Sequence, residues 1–402
     1  MAEAARHAVI AGAGPSGLCA ALALAQAGWR VSVIEQAPVM DDVGAGLQIS
    51  PNASRLLHRL GVLDHLRPLA SEPQALRIRR GKDAAVLATL PLGAQALARW
   101  GAPSLVVHRA DLQRALLECV ARVPLISLKT GTRIMGFANH PGSIEIGAKM
   151  GLIGLKLSAD LLIGADGLRS LVRERLALLP NDQPLYSGRI AWRALVPAER
   201  VPDFARAPET NLWLGPKTHL VHYPVRKGAL INLVAITQDH WRAQDEPDLW
   251  SSIGEAQDVQ TRFNHWHADP KALIASAEDW RRWPLYDRAP LPHWHAQRVV
   301  LAGDAAHPML PFLAQGSAQG IEDGYALGLA AQRNGSDLAG LIQDYESQRM
   351  IRARKVQQHS RQQGWIYHLP LPFSLFRDLT LKALGPERLQ HRVDWLYGHD
   401  PD

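Results

Sequence analysis

Residues 7–35 decide the fold, and they read HAVIAGAGPSGLCAALALAQAGWRVSVIE. A short apolar strand, His7–Ala11, runs into a glycine turn, and an Ala- and Leu-rich helix closed by Gly28 follows the turn. A second apolar strand, Arg30–Ile34, comes directly after that helix. Strand, turn, helix and strand in this order predict a β-α-β unit with parallel strands and a right-handed crossover.

The turn has the spacing Gly12-x-Gly14-x-x-Gly17, and an acid, Glu35, ends the second strand. Gly12 permits a tight turn, Gly14 lets a pyrophosphate approach the backbone, and Gly17 lets helix and strand pack closely. The helix N-terminus offers N–H groups and partial positive charge to phosphates. A carboxylate at the strand end accepts hydrogen bonds from ribose hydroxyls and repels a 2′-phosphate. The unit therefore suits the AMP half of FAD or NAD and not the phosphorylated ribose of NADP.

Composition excludes several classes of protein. The chain has 402 residues, 47% of them apolar and 20% charged, with a net charge of +6. Lys and Arg are scattered singly, which disfavours nucleic acid as a partner, and no apolar run approaches the length of a membrane span. Cys19 and Cys119 lack metal-ligand spacing, so we expect two buried, reduced thiols, no metal site and a cytoplasmic protein.

Two further motifs each follow a short apolar strand. Residues 164–170, GADGLRS, follow a strand predicted at 159–163, and residues 303–327, GDAAHPMLPFLAQGSAQGIEDGYAL, follow one predicted at 298–302. Taken alone, each fits an ordinary strand-end turn capped by Asp as well as it fits a ligand site.

Taken together and in this order, the three motifs resemble the fingerprints of the class A flavoprotein aromatic hydroxylases, single-component FAD monooxygenases related to p-hydroxybenzoate hydroxylase. The stretches that are most similar to the salicylate and 3-hydroxybenzoate hydroxylase branch are DVGAGLQISPNA (42–53), HRADLQ (108–113) and PFLAQGSAQGIED (311–323). 6-Hydroxynicotinate monooxygenase is a neighbour of that branch.

The resemblance implies an α/β fold in which a Rossmann-like FAD-binding domain is split in sequence. Alternating apolar stretches from about residue 186 predict antiparallel strands of a β-rich substrate-domain insert. Apolar residues at helical spacing predict helices at 54–66 and 109–120. The last six residues, YGHDPD, are expected to form a frayed end. The expected domains are FAD-binding at 1–75, 101–185 and 286–345, substrate domain at 76–100 and 186–285, and C-terminal helices at 346–402.

The resemblance also implies a set of cofactor-binding residues for non-covalent FAD and for NADH or NADPH as co-substrate. Those for the adenosine half of FAD are Gly12, Gly14, Gly17 and Glu35. Those for its phosphate, ribityl chain and flavin ring are Arg109, Asp304, Gln315 and Gly316. Asp166 and Arg169 would serve FAD and the transient NAD(P)H. Pro311 would face the reacting oxygen and the substrate, and dipoles at the helix start near Gly316 would stabilise the reduced flavin anion.

Catalytic side chains are suggested by the strand THLVHYPV (218–225). Period-two alternation places His219, Val221 and Tyr223 on one face and His222 on the other. Relatives carry a His and a Tyr at this spacing towards the substrate, which implies His219 as base or hydrogen-bond partner and Tyr223 as orienting group. Arg193 fits a ligand for a carboxylate or the pyridine nucleotide and fits an ion pair within the insert equally well.

The sequence thus predicts an NAD(P)H-dependent FAD monooxygenase that hydroxylates a small hydroxylated aromatic acid, of the salicylate or hydroxybenzoate type, through a flavin C4a-hydroperoxide. The expected partners are the aromatic acid, O₂ and NAD(P)H, with a homodimer as the assembly and neither nucleic acid nor membrane as partner. Three alternatives stay open. The substrate could be a hydroxypyridine carboxylate such as 6-hydroxynicotinate; the same fold could serve a flavin reductase or oxidase, or the epoxidation or N-hydroxylation of another ring; and the chain could be a non-catalytic, redox-responsive FAD-binding protein.

Overall fold

The computed structural model describes residues 5–40, 45–240 and 252–402. Residues 42–44 of the stretch 42–53, and residues 241–251 of the predicted insert, therefore lie outside the described residues. Both cysteines are buried free thiols, as predicted.

Strands and helices alternate through the first part of the chain, and helices follow one another at its end. The strands are β1 (His7–Ala11), β2 (Arg30–Ile34), β3 (Gly46–Ile49), β4 (Ala75–Arg80), β5 (Val86–Pro91), β6 (Leu105–His108), β7 (Ile126–Lys129), β8 (Thr132–His140), β9 (Ser143–Met150), β10 (Ile153–Ala159), β11 (Leu161–Gly164), β12 (Leu185–Pro197), β13 (Thr210–Gly215), β14 (Thr218–Val225), β15 (Leu230–Gln238), β16 (Ser252–Gly254), β17 (Trp280–Asp287), β18 (His295–Ala296) and β19 (Val299–Leu301). The helices are α1 (Pro15–Gln26), α2 (Pro51–Arg59), α3 (Leu63–Leu66), α4 (Gly93–Trp100), α5 (Arg109–Ala121), α6 (Leu171–Leu176), α7 (Ala256–Arg262), α8 (Ala268–Ala275), α9 (Gly316–Asn334), α10 (Leu338–Tyr367) and α11 (Phe373–Tyr397).

The predicted β-α-β unit forms the centre of a six-stranded sheet with the order β18-β19-β11-β1-β2-β7. β1 pairs in parallel with β2 and β11, and β7 and β19 extend the parallel array on either side. β1, β11 and β19 are buried almost throughout, because a parallel sheet is covered by helices on both faces. Strands from both ends of the chain therefore meet in one sheet.

Small residues bring α9 directly against α1. A Cβ atom added at Gly324 would lie 2.6 Å from the backbone nitrogen of Ala20, and one at Gly328 would lie 2.4 Å from the Cβ of Ala23. The two helices therefore approach to a distance that larger side chains would prevent. This contact places the N-terminus of α9 beside the glycine turn between β1 and α1.

The second large sheet has eight strands in the order β16-β17-β12-β15-β14-β13-β4-β5. β4 and β5 come from residues 75–91, yet β4 pairs with β13 in parallel and so joins the sheet of the later insert. This pairing agrees with a substrate domain assembled from two separate segments, while the domain boundaries themselves stay a prediction. A three-stranded sheet, β10-β9-β8, lies outside both.

Two predicted elements end elsewhere than expected. The strand predicted at 159–163 is observed at β11, since Ala159 belongs to β10, which runs antiparallel to β9. The helix predicted at 54–66 is divided into α2 and α3, because Gly61 between them has a φ of +75° that ends the first helix. The helix predicted at 109–120 is confirmed as α5.

The last residues are not frayed, and the prediction of a frayed end is wrong. Asp400 lies 2.6 Å from the Nη1 atom of Arg59, and the backbone oxygen of His399 accepts a hydrogen bond of 2.6 Å from Arg55. Both arginines belong to the α2 region. The tail is polar because it pairs with basic side chains of another element, a contact that local sequence does not reveal.

Candidate active site

One cleft lies between the glycine turn, the carboxyl ends of the parallel strands and one face of the eight-stranded sheet, with a volume of about 360 Å³. Ligands of open α/β sheets bind at this edge. The predicted residues that line the cleft are Gly14, Arg109, Arg193, His219, Tyr223, Asp304, Pro311 and Gly316.

The three glycines of the turn differ in what limits them. Gly12 has a φ of +99°, and a Cβ atom there would lie 2.5 Å from the backbone oxygen of Ala165. A Cβ atom at Gly17 would lie 2.1 Å from the oxygen of Gly12, whereas one at Gly14 would meet no atom within 4 Å. Gly12 and Gly17 are therefore required by the protein's own packing. The open space at Gly14 fits the pyrophosphate of a dinucleotide.

Glu35 joins the turn to the end of β2. Its carboxylate accepts hydrogen bonds of 2.8 Å from the backbone N–H groups of Ala13 and Ala37, and the residue is half-buried. A carboxylate has about four lone-pair sites, so two N–H donors leave acceptor capacity. The Glu35 carboxylate can thus hold the turn and at the same time accept hydrogen bonds from the hydroxyls of a ribose.

Arg109 and Asp304 stand at the part of the cleft between the glycine turn and α9. The side chain of Asp304 is exposed to the cleft and lines it. Desolvation by the surrounding protein raises the pKa of Asp304, while His307 and Arg109 act in the opposite direction. A carboxylate that faces the cleft suits the hydroxyl donors of a ribityl chain.

The segment before α9 is fixed by a buried ionic network. Asp323 accepts hydrogen bonds from the backbone N–H of Gly303 at 2.7 Å, from His307 Nε2 at 2.5 Å and from Arg349 Nε at 2.8 Å. Arg349 also binds Glu322. Burial would raise the pKa of both acids, but Arg349 lowers that of Glu322, and His307 and then Arg349 lower that of Asp323. The turn that carries Asp304 is therefore held at two points by one carboxylate.

The start of α9 faces the cleft, but one predicted residue does not. Pro311 begins a short 3-10 helix, Pro311–Leu313. The next residue, Ala314, caps it with a φ of +53°, which is uncommon for a residue with a side chain. α9 then begins at Gly316 with its N-terminus towards the cleft. The Gln315 side chain points elsewhere: it is buried and donates a hydrogen bond of 2.9 Å to Ser50.

The side chains of Asp166 and Arg169 do not line the cleft. Asp166 caps α6, since it accepts hydrogen bonds from the Ser170 hydroxyl and, at 3.1 Å, from the backbone N–H of Val172. Arg169 faces a second cavity of about 440 Å³, which Arg288 also lines. The backbone around Asp166 does reach the cleft, because its neighbours Ala165 and Gly167 line it.

The alternation predicted for β14 is observed. His219, Val221 and Tyr223 line the cleft, while His222 lies on the opposite face, where its Nδ1 accepts a hydrogen bond of 3.3 Å from Trp213. His222 is completely buried, and burial lowers its pKa to about 3. The two histidines thus have separate surroundings although two positions lie between them.

His219 has a partner that sequence reasoning missed. Its Nδ1 atom lies 2.7 Å from Nε2 of His368, which directly follows α10. Burial first, and then His368 and Arg189, lower the pKa of His219 well below its usual value. A pH dependence near 6.5, the pKa of an unperturbed histidine, is therefore not expected from His219. No local pattern around His368 signals this contact.

Arg193 lies on β12 beside Tyr223, with its guanidinium 5.0 Å from the ring centre of Trp283. Its Nε atom is buried and has no hydrogen-bond partner among the described residues. Burial lowers the pKa of Arg193 and raises that of Tyr223. The ion pair within the insert that the sequence also allowed is absent from the described part of the chain. An unpaired cation in a cleft suits an anionic ligand.

Comparison with known proteins places the chain among flavoproteins. A family described as "FAD binding domain" matches residues 6–360. The chain is 36% identical over 397 residues to 3-amino-4-hydroxybenzoate 2-monooxygenase PtnB3 of Streptomyces platensis, covering 98% of this chain and 96% of the relative. It is 33% identical over 391 residues to 3-hydroxybenzoate 6-hydroxylase of Polaromonas naphthalenivorans, covering 97% and 95%. A salicylate hydroxylase substrate complex superposes with a TM-score of 0.83 at 27% identity, covering 98% of this chain and 96% of that one.

Two further observations concern metals and membranes. Among residues 5–40, 45–240 and 252–402, His, Cys, Asp and Glu side chains form no cluster suited to a metal ion. Within the same ranges, the helices are too short or too polar to cross a membrane.

Proposed function

Since the chain belongs to the FAD-binding domain family of flavoprotein hydroxylases, we propose that it hydroxylates a small aromatic acid of the hydroxybenzoate type, with O₂ and NADH or NADPH as co-substrates. The observation that carries the proposal is the cleft, where a cation, a neutral histidine and a tyrosine converge beside the N-terminus of α9. A hydroxybenzoate offers a carboxylate, a hydroxyl and an apolar ring to these groups.

The residues that would hold FAD follow from the fit of the cleft. Gly14 leaves the space for the pyrophosphate. Glu35 would accept hydrogen bonds from the ribose hydroxyls, and Asp304 would accept them from the ribityl hydroxyls. Arg109 would face a phosphate, and the N–H groups at Gly316 would face the flavin ring. When bound, FAD supplies hydride transfer and the activation of O₂, which protein side chains do not provide.

The aromatic acid would lie between β14 and the segment that begins at Pro311. We assign its carboxylate to Arg193 and its hydroxyl to His219, with Tyr223 fixing the ring's orientation. Val221 and Ile236 form an apolar wall of the same cleft and would exclude water from the ring. The backbone oxygen of Pro311 would face the side of the ring that reacts.

NAD(P)H has a separate candidate position. Arg169 faces the second cavity, and arginine binds phosphate through several donors at once. Arg288 lines the same cavity but is bound to Asp182 and to the backbone oxygen of Leu168. Asp166 would act there by holding the turn that carries Arg169, since its carboxylate caps α6. The homodimer and the cytoplasmic location stay predictions, which sedimentation and cell fractionation would test.

The decisive experiment measures NAD(P)H oxidation with and without added hydroxybenzoates and hydroxypyridine carboxylates, with identification of the products. We expect a hydroxybenzoate to accelerate oxidation and to gain one hydroxyl group. Equal oxidation without any aromatic acid would indicate an oxidase or reductase. No oxidation under any condition would indicate the redox-responsive binding protein instead.

Arg193→Met should separate carboxylate recognition from the rest of the site. Because a charge-assisted hydrogen bond contributes about 1.5–3 kcal/mol, the Kd of a hydroxybenzoate should rise about 10- to 100-fold. The Kd of the matching phenol without a carboxylate should change much less. Arg133→Met is the matched control, since Arg133 is exposed on β8. Equal weakening of acid and phenol by Arg193→Met would contradict the assignment.

A further inference from the structure

We propose that Arg189 and His368 act as positioning residues that fix the tautomer of His219, so that His219 presents an N–H group and not a lone pair to the cleft. The three side chains form a chain of hydrogen bonds across three elements. Arg189 on β12 lies with Nε 3.3 Å from Nδ1 of His368, and Nε2 of His368 lies 2.7 Å from Nδ1 of His219 on β14.

The direction of the chain follows from its first member. A guanidinium has donors and no acceptor, so Nδ1 of His368 must accept from Arg189. A neutral His368 then carries its proton on Nε2 and donates it to Nδ1 of His219. A neutral His219 must therefore carry its own proton on Nε2, the nitrogen that is left for the cleft.

Both rings stay neutral because they are buried. Desolvation lowers the pKa of His368 to about 3, and Arg189 and Arg377 act in the same direction. The pKa of His219 is lowered by burial, His368 and Arg189. The other rings packed against His219 are those of Phe312 and Tyr367, with ring centres 5.6 Å and 5.4 Å away. Carboxylates are absent from these described contacts, so nothing favours an imidazolium.

Packing and main-chain contacts hold the first two members in place. The Arg189 guanidinium lies 5.2 Å from the ring centre of Phe312, and its Nη2 reaches the backbone oxygen of Gly364 at 3.5 Å. The backbone oxygen of His368 accepts a hydrogen bond of 3.3 Å from the N–H of Lys217. The opposite tautomer of His219 would set an N–H group against another N–H group at one link of this chain.

This assignment changes the role expected for His219. With the proton on Nε2, His219 cannot accept the hydroxyl proton of a substrate, but it can donate to that oxygen once the oxygen is negative. It would therefore select and stabilise the phenolate form of a bound hydroxybenzoate, and the proton would leave to water or buffer. This consequence rests on the proposed function, whereas the tautomer itself does not.

The tautomer is measured on the FAD-loaded protein labelled with ¹⁵N-histidine, without any aromatic acid. Two-bond ¹H–¹⁵N correlation distinguishes a protonated from an unprotonated ring nitrogen, and the spectrum of His219→Gln identifies the signals of His219. We expect a protonated Nε2 and an unprotonated Nδ1. A proton on Nδ1, or a doubly protonated ring at neutral pH, would overturn the proposal.

A matched pair of variants tests the control by His368. His368→Gln keeps an N–H donor for His219, whereas His368→Glu, of equal size, offers only acceptors. We expect an unprotonated Nδ1 of His219 in His368→Gln and a protonated Nδ1 in His368→Glu, where the carboxylate also favours an imidazolium. The same state of Nδ1 in both variants would contradict control by His368. If the Glu variant does not fold, Arg189→Met serves instead, because loss of the obligate donor should leave His219 with a mixture of both tautomers.

Binding of 3-hydroxybenzoate gives the second readout, through the ultraviolet absorption of its phenolate. In the wild type and in His368→Gln, the bound hydroxyl should ionise at a pH at least about one unit lower than in His219→Asn, whose side chain is too short to place a donor where Nε2 of His219 lies. One unit is a tenfold change in the ionisation constant. An unchanged ionisation pH would refute donation to the substrate oxygen. Expected tautomers together with no binding of any hydroxybenzoate would instead refute the proposed function and leave the chain of hydrogen bonds intact.

Discussion

Gly14→Val is expected to fold and to lose FAD. The valine Cβ would meet no protein atom within 4 Å, and the residue has an extended backbone, with φ of −72° and ψ of 176°, that valine adopts readily. Valine is a poor N-cap residue, so a loss of about 1 kcal/mol in the free energy of unfolding is expected. The side chain would, however, fill the space proposed for the pyrophosphate. The Kd for FAD should rise at least about a hundredfold, which corresponds to about 2.7 kcal/mol.

The measurement is the amount of FAD released by acid precipitation per mole of purified protein, together with circular dichroism of the apoprotein. FAD should appear in the supernatant of the wild type, because non-covalent binding is predicted. Gly154→Val is the matched control, since Gly154 is exposed on β10 and a Cβ there also meets no atom within 4 Å. Gly17→Val should instead fail to fold, because its Cβ would lie 2.1 Å from the Gly12 oxygen. A stable Gly14→Val protein with a full complement of FAD would show that the phosphate lies elsewhere.

His219→Asn is expected to reduce hydroxylation at saturating aromatic acid by about a hundredfold or more, the usual cost of losing a group that transfers a proton or stabilises developing charge. His222→Asn should change the rate by less than about threefold, because His222 faces away from the cleft and packs against Trp213. Turnover and the yield of product per NAD(P)H are measured for both variants. The opposite result, with His222→Asn inactive and His219→Asn near wild type, would mean that the proposed roles of the two faces are reversed.

His222→Asn should also differ from the wild type in how its stability changes with pH. Burial lowers the pKa of His222 to about 3, whereas the unfolded chain binds a proton below about pH 6.5. Stability contributed by the neutral ring is therefore lost as the pH falls from about 6.5 towards 3, at about 1.4 kcal/mol per pH unit. His222→Asn lacks this titration, so its free energy of unfolding should fall less steeply than that of the wild type between about pH 7 and 5. Urea unfolding across that range measures the difference.

The parts of the molecule that sequence predicted are those set by neighbours in the chain. The β-α-β unit is formed by consecutive residues, and the limit on Gly17 arises within its turn, where an added Cβ would meet the oxygen of Gly12. The face shared by His219 and Tyr223 follows from the period of an extended strand. In each of these cases, a local rule and the final structure agree.

The parts that sequence missed depend on contacts between distant elements. His368 reaches His219 from the end of α10, and Arg349 reaches Asp323 from the adjoining helix, so no spacing announces either contact. The motifs also gave the positions of Asp166 and Gln315 but not the directions of their side chains. Both side chains turn into the protein, because a helix cap and a buried amide network each offer partners there.

The order of strands in the six-stranded sheet has a consequence for synthesis on the ribosome. β1, β2, β7 and β11 are all complete by Gly164, but β19, which pairs with β11, ends only at Leu301. The whole eight-stranded sheet except β4 and β5 is translated between them. Translation proceeds at about 5–20 residues per second, so the edge of β11 stays unpaired for on the order of ten seconds before β19 is made. A nascent chain therefore carries an open parallel edge during that interval, and chaperone binding should concentrate there.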